Sequence, residues 1–234
     1  MLSVHDLRAG YNGTSVLNGV DFDLYGGEIV SLVGRNGSGR STMMRALLRI
    51  VRPTAGEVIL NGCSVANLNT YQIVRAGLSY VPEERLIFHN LTVGENMTLG
   101  IQRRPNAVAT WHPDELWSIF PNLATRRDVA AGALSGGEQQ MLTMCRSLLG
   151  NPDAILIDEP TEGLAPKIVE AVVQLILEMK RRGIGVVLVE QKLTLALEIS
   201  DRVTVMGHGK IVFEGNAEEL RTCDDVRRKW LEVQ

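Results

Sequence analysis

The segment Gly34-Arg35-Asn36-Gly37-Ser38-Gly39-Arg40-Ser41-Thr42 follows directly on the apolar run Ile29-Val30-Ser31-Leu32-Val33. A strand that ends in a G-x-x-x-x-G-[basic]-[Ser/Thr] loop and then opens a helix is built to cradle phosphate. Bare glycines let backbone N–H groups converge on phosphate oxygens, and the helix N-terminus adds positive potential. In that chemistry Ser41 offers its hydroxyl to Mg2+. The loop cation is Arg40, where the pattern has lysine. A guanidinium is broad, planar and forked, whereas an ammonium is a compact point charge. In a loop shaped around lysine, Arg40 displaces the terminal phosphate or holds it out of line, and ~1 Å of misplacement costs about a hundredfold in rate. In a loop that accommodates arginine, turnover is ordinary.

A second stretch, Ala154-Ile155-Leu156-Ile157-Asp158-Glu159, is an apolar strand ending in two acids. Ligands of open α/β sheets sit beyond the carboxyl ends of the strands. Asp158 is therefore placed to hold a metal through water, and Glu159 to orient or deprotonate an attacking water. A turn-capping pair is the plainer reading of the two acids alone. In Leu134-Ser135-Gly136-Gly137-Glu138-Gln139-Gln140, Ser135 and Glu138 have capping-box spacing, so a helix starts there. Ser135 and the N–H groups of Gly136 and Gly137 also suit a phosphate approaching across an interface.

These groups need a frame. Val20, Phe22 and Leu24 alternate with Asp21 and Asp23, the pattern of a sheet with one buried face. Gly26-Gly27 marks a turn, and 29–33 is then apolar throughout, as in a strand covered on both sides. Further apolar runs at 58–60, 78–81, 154–157, 186–189 and 203–206, separated by helical segments such as 167–182, favour a mostly parallel sheet with helices on its faces. The middle, 84–150, carries helix starts at Thr92-Val93-Gly94-Glu95 and at Ser135 but few strand signals. The expected organisation is a single α/β P-loop domain: a parallel-sheet core from 1–83 and 151–234 with an N-terminal antiparallel β lobe, and a helical lobe at 84–150.

The chain has 234 residues, 45% hydrophobic and 22% charged, enough to bury a core without disulfides. A charge of −3 opposes a broad nucleic-acid-binding face. Cys63, Cys145 and Cys223 lack metal-ligand spacing and are expected to be reduced thiols of the cytosol. His5, His89, His112 and His208 show no ligand spacing either. No apolar run approaches the roughly 18 residues of a membrane span, and the first residues do not have the pattern of a secretory signal.

Together these residues resemble the ATPase subunit of ATP-binding-cassette (ABC) transporters, from about Val4 to Leu231. The motif Leu134-Ser135-Gly136-Gly137-Glu138-Gln139, lying between the phosphate loop and the Asp158-Glu159 strand, is similar to that family's signature. Within the family, several segments are similar to the second ATPase subunit of branched-chain amino acid importers: Tyr80-Val81-Pro82-Glu83-Glu84-Arg85 with Ile87-Phe88, Leu91-Thr92-Val93, Glu159-Pro160-Thr161-Glu162-Gly163-Leu164-Ala165-Pro166 and Val189-Glu190-Gln191. Importers of urea or short amides share much of this pattern.

The resemblance implies ATP and Mg2+ as ligands, with the phosphates on residues 34–42 and the metal on Ser41, Glu83 and Asp158. It places Tyr11 on the adenine, although a strand-face aromatic is the plainer reading, and Val16 beside it. Glu159 and Gln191 take the catalytic positions. Glu83 stands where a glutamine is usual and Gln191 where a histidine is usual; both variants are familiar in the branched-chain group. Ser135, Gly136, Gly137 and Glu138 face the ATP of a second ATPase subunit, and Gly163-Leu164-Ala165-Pro166 cross to that partner. Leu86, Ile87 and Phe88 either touch integral-membrane permease subunits or form local core. The implied setting is the cytoplasmic face of the cell membrane, with a solute-binding protein acting indirectly and nucleic acid not involved. Two other classes share the motifs: a soluble ABC ATPase acting on ribosomes or DNA, and a regulatory subunit that binds nucleotide without hydrolysing it.

Overall fold

The computed structural model describes residues 1–231. Positions 232–234, the last of the span expected for the core, lie outside the described residues. Strands β1 (Leu2–Tyr11) and β2 (Thr14–Leu24) pair antiparallel, with Leu2 opposite Leu24 and Tyr11 opposite Thr14. Their alternation works as expected: Val20, Phe22 and Leu24 are buried while Asp21 is exposed. The chain then crosses to a second sheet with β3 (Ile29–Val33), the phosphate loop and α1 (Arg40–Leu47).

It returns to the first sheet with β4 (Ala55–Leu60) and β5 (Cys63–Ser64). The run 58–60 therefore does not join the parallel sheet. It lies antiparallel to β1, with Leu60 opposite Leu2 and Val58 opposite Val4, in a sheet of order β2-β1-β4-β5. A short apolar run carries no signal for which partner it will find, and the free edge of the N-terminal hairpin takes this one.

After α2 (Thr70–Ala76), β6 (Leu78–Val81) enters the second sheet, and the chain becomes helical: α3 (Val93–Gly100), α4 (Pro113–Ile119), α5 (Pro121–Ala124) and α6 (Gly136–Leu148). Both expected capping boxes form. Thr92 Oγ1 accepts from Glu95 N–H at 3.1 Å, and Ser135 Oγ accepts from Glu138 N–H at 3.3 Å. The remaining elements are β7 (Ala154–Asp158), α7 (Pro166–Arg181), β8 (Gly185–Val189), α8 (Leu193–Ile199), β9 (Arg202–Gly207), β10 (Lys210–Gly215), α9 (Ala217–Thr222) and α10 (Asp224–Trp230).

The second sheet has the order β10-β9-β3-β8-β7-β6 and is parallel except where β10 pairs with β9. Its central strands are buried on both faces, so alternate side chains feed two different cores. Ile29, Ile155, Ile157, Val186 and Leu188 pack with α6, α7 and the helical segment around Trp111 and Phe120. Val30, Leu32, Leu156, Val187 and Val189 pack with α1 and the small sheet. This double coverage explains why these strands read as unbroken apolar runs. It also fixes the carboxyl ends of β3 and β7, paired through β8, with little freedom relative to each other. Among the described residues no helix is long and apolar enough to cross a membrane.

Candidate active site

The turn from β3 into α1 is the first wall of the site. Gly39 caps α1 with φ 107°, a left-handed conformation, and a Cβ there would come within 3.1 Å of the Leu17 side chain. Glycine alone meets both demands. The resulting cleft, about 480 Å3, is lined by Val16, Asn36, Gly37, Ser38, Gly39, Arg40, Ser41, Thr42, Glu83, Glu159 and Gln191. Residues from β2, the phosphate loop and the ends of β6, β7 and β8 thus converge on one space.

Arg40 is buried, with 7% of its side chain exposed. Its Nη2 donates to Asn36 Oδ1 at 3.3 Å and lies 3.6 Å from Glu159 Oε1, while its buried Nη1 finds no partner. Glu159, 8% exposed, is held on its other oxygen by Gln191 Nε2 at 2.6 Å. Its backbone has φ 46° and its N–H donates to Val189 O at 2.9 Å, so β8 holds the turn in a conformation that costs strain. Burial pushes the Glu159 carboxyl up to about 7; the Gln191 and Arg40 contacts oppose this, while a Glu162 hydrogen bond and the Glu83 charge add to it. A carboxyl poised there is suited to proton transfer near neutral pH.

Asp158 is buried at the end of β7. Its Oδ2 accepts from the Tyr80 hydroxyl at 3.4 Å, and its Oδ1 has no partner. Burial raises its pKa, opposed by the nearby Ser41 hydroxyl and by the Arg40 charge. Glu83, at the end of β6, is raised by desolvation and then by Asp158 and Glu162. Carboxylate oxygens of Glu83, Glu159 and Glu162 lie within 4.8 Å of one another. Three acids at that separation, next to an orphaned carboxylate oxygen and a serine hydroxyl, form an oxygen-rich donor set of the kind that suits a divalent cation.

Other expected residues lie elsewhere. Tyr11 is 42% exposed at the end of β1, outside the cleft, with its hydroxyl facing Arg45. Arg35 points to the far side of the loop, where it lines a separate cavity with His208, Lys229 and Trp230. Ser135 is exposed at the start of α6, with Gly136, Gly137 and Glu138 partly exposed beside it, and none of them lines the chain's own cleft. Ile87 is buried, whereas Leu86 and Phe88 are 58% and 53% exposed. Glu162 and Tyr80 were not singled out from the sequence. Their signal was adjacency to Asp158-Glu159 and to Glu83, but nothing in their spacing reveals that they approach the acids of the cleft.

A phosphate loop and an acid-ended strand, separated by one strand in a doubly covered parallel sheet, define a P-loop nucleoside-triphosphatase, here with an antiparallel β sheet and a helical segment added. The family described as ABC transporter matches residues 17–162. BraG of Pseudomonas aeruginosa, a high-affinity branched-chain amino acid transport ATP-binding protein, is 36% identical over 99% of both chains. A probable branched-chain amino acid transport ATP-binding protein, LivF of Archaeoglobus fulgidus, is 35% identical over 94% of both. The lipopolysaccharide export ATP-binding protein LptB of Haemophilus influenzae is 31% identical over 100% of this chain and 98% of its own. Among solved structures, an ABC transporter ATP-binding subunit superposes with a TM-score of 0.83 at 28% identity, covering 98% of this chain and 92% of that one. A dimeric post-hydrolysis cassette bound to ADP and Pi superposes with a TM-score of 0.81 at 25% identity, covering 93% and 99%. The chain belongs to the ABC transporter family and is an ATP-binding ATPase subunit of that class.

Proposed function

We propose that this subunit drives import of branched-chain amino acids or similarly small polar solutes from the cytoplasmic face of the membrane. The observation that carries this reading is the near-full-length likeness to two branched-chain amino acid transport ATP-binding proteins, at 36% and 35% identity. Residues 36–42 hold the phosphates, and Val16 lies beside the base. Ser41, Asp158 and Glu83 would hold Mg2+, which when bound neutralises charge on phosphate oxygens. Glu159 accepts the proton of the attacking water, and Gln191 fixes the orientation of that carboxylate through its 2.6 Å hydrogen bond. Ser135, Gly136, Gly137 and Glu138 are free of the chain's own cleft, which suits them to close the cleft of a second ATPase subunit. Exposed Leu86 and Phe88 offer an apolar contact to integral-membrane permease subunits, through which a solute-binding protein acts.

The test is uptake by proteoliposomes holding this chain, its partner ATPase and its permease subunits. Labelled leucine, valine, urea and a short amide are each offered with MgATP. Uptake of leucine or valine supports the reading, uptake of urea or the amide moves it to that importer group, and no uptake of any of the four overturns it. A second reading is favoured by the Arg40–Glu159 contact. In it this chain's own cleft turns over slowly, while its start of α6 completes the cleft of a faster partner.

A further inference from the structure

Arg85 lies between the acids of the cleft and the exposed Leu86–Phe88 segment, yet its side chain belongs to neither. Its backbone is left-handed, with φ 50°, which for a long side chain is a conformation held by its surroundings. From there the guanidinium reaches two loops distant in sequence. Nη2 donates to the backbone carbonyl of Glu162 at 2.8 Å, in the turn that follows Glu159. Nη1 lies against the first residue of α6: a Cβ on Gly136 would stand 2.4 Å from it. The bare glycine is thus what leaves room for the guanidinium at the helix start. The next residue repeats the theme, since a Cβ on Gly137 would stand 2.6 Å from the Ile168 side chain of α7.

A cation at the positive end of a helix is electrostatically unfavourable by itself. The Glu162 carbonyl offsets it, and the result ties the two segments through one side chain, beside the packing of Leu164 and Ile168 against Gly137. We propose that Arg85 is a positioning residue for ATP turnover. It locks the start of α6, with Ser135 and Glu138, to the turn after Glu159, so that the phosphate-facing surface offered to a partner subunit stays in register with the acids of this chain's own cleft. The inference rests on the reading that Ser135 to Glu138 close a second subunit's site. Its strategic position follows from the chain order: Glu83 is two residues before Arg85 and Leu86 is the next residue after it. A displacement of the Leu86–Phe88 segment is therefore passed to both loops through one side chain.

Two measurements test this, on native protein, Arg85→Lys, Arg85→Ala, Gly136→Ala and the Arg85→Ala/Gly136→Ala double variant. The first is amide hydrogen exchange of the full chain without nucleotide. Arg85→Ala should raise exchange at the start of α6 and in the turn 160–165, leaving β3, β7 and β8 unchanged. Gly136→Ala should do the same, because its methyl group evicts the guanidinium, and Arg85→Lys should fall between. The second is MgATP turnover of the assembled complex. Arg85→Ala should lower kcat about tenfold with KM within about twofold, since the phosphate loop does not touch Arg85. Gly136→Ala also alters the surface offered to a partner's phosphate, so it should lower kcat at least as far, and the double variant should be no worse than Gly136→Ala alone. Unchanged exchange at α6 and 160–165 overturns the proposal, as do multiplicative losses in the double variant or a fall in melting temperature that matches the loss of rate. If the native complex turns over no MgATP, the ATPase assignment fails on its own, and the exchange comparison still decides what Arg85 does.

Discussion

The Arg40 guanidinium and the Glu159 carboxylate face each other across the nucleotide cleft, Nη2 3.6 Å from Oε1, with both side chains more than nine-tenths buried. The cation that a phosphate loop reserves for phosphate oxygens is therefore engaged with the acid that should receive a proton from water. A γ-phosphate must compete with Glu159 for it. Arginine's fork is also wider than the lysine for which such loops are shaped. Arg40→Lys is expected to raise kcat at least tenfold, since misplacement near 1 Å costs about a hundredfold. Steady-state MgATP turnover of the two proteins, each assembled with its partners, checks this. Equal rates would show that the loop accommodates arginine.

The environment of Glu159 predicts a pH limb. Its carboxyl is pushed up to about 7, chiefly by burial. Only the ionised form accepts a proton, so turnover should climb as pH rises through about 7 and then level off. Glu162→Gln replaces an acid that raises this pKa with an amide that can donate, and the midpoint should move down. The same shift has a stability consequence of fixed sign. The folded protein keeps the Glu159 proton where the unfolded chain has lost it, so stability without nucleotide should fall from about pH 4.5 to about 7. Urea unfolding of native protein and Glu159→Gln across that range should show the slope in the first and a weaker slope in the second.

Ser135 has two roles that one substitution can separate. As the N-cap of α6 its hydroxyl accepts from Glu138 N–H and donates to Glu138 Oε2 at 2.8 Å, while its exposed position lets it turn towards a partner's phosphate. Aspartate caps helices as well as serine does but repels phosphate. Ser135→Asp keeps the bond from Glu138 N–H but loses the one to Glu138 Oε2, so it should lower the melting temperature no further than Ser135→Ala does and lose most MgATP turnover. Ser135→Ala should lose about 1 kcal/mol of stability as well. Calorimetry and turnover on the same preparations would reveal a merely structural Ser135 if the aspartate variant remained active.

What the sequence displays well is whatever is encoded locally. The phosphate loop, the acid-ended β7 and the capping boxes at Thr92 and Ser135 are each written in a few consecutive residues, and each forms where its pattern places it. What it conceals depends on partners far along the chain. The run 58–60 looks like any buried strand, and only the free edge of β1 assigns it to the small sheet. Nothing near Arg40 announces that Glu159 will approach it, because that contact is created by β3, β8 and β7 lying side by side. Leu86, Ile87 and Phe88 are all apolar in sequence, yet the middle one turns into the core and its neighbours turn out.

The clearest stability prediction concerns a pair outside the cleft. Arg104 and Asp153 are 13% and 5% exposed, with Nη2 2.7 Å from Oδ2. Arg104 also donates to the carbonyls of Arg75 at 3.1 Å and Ala76 at 3.1 Å, while Asp153 accepts from Asn61 Nδ2 at 2.7 Å and from Val108 N–H at 3.1 Å. One guanidinium and one carboxylate thus join the end of α2, the turn after β4, the loop beyond α3 and the approach to β7, the strand that delivers Asp158. Removing one member of such a pair leaves the other charge buried without its counterion, which typically costs about 3–5 kcal/mol. Arg104→Ala should accordingly lower the melting temperature by roughly 6–20 °C for a chain of this length. The pH dependence identifies the cause. Burial alone would raise the Asp153 pKa, but the Arg104 hydrogen bond and charge, with the Val108 and Asn61 bonds, bring it below the usual value. Its contribution is therefore present above about pH 4 and lost as pH falls through the lowered folded value. Thermal unfolding at pH 7 and pH 3.5 should show a wide gap between native protein and Arg104→Ala at the first and a narrower one at the second. A gap of equal width at both would mean that Arg104 acts through its carbonyl contacts and not through its counterion.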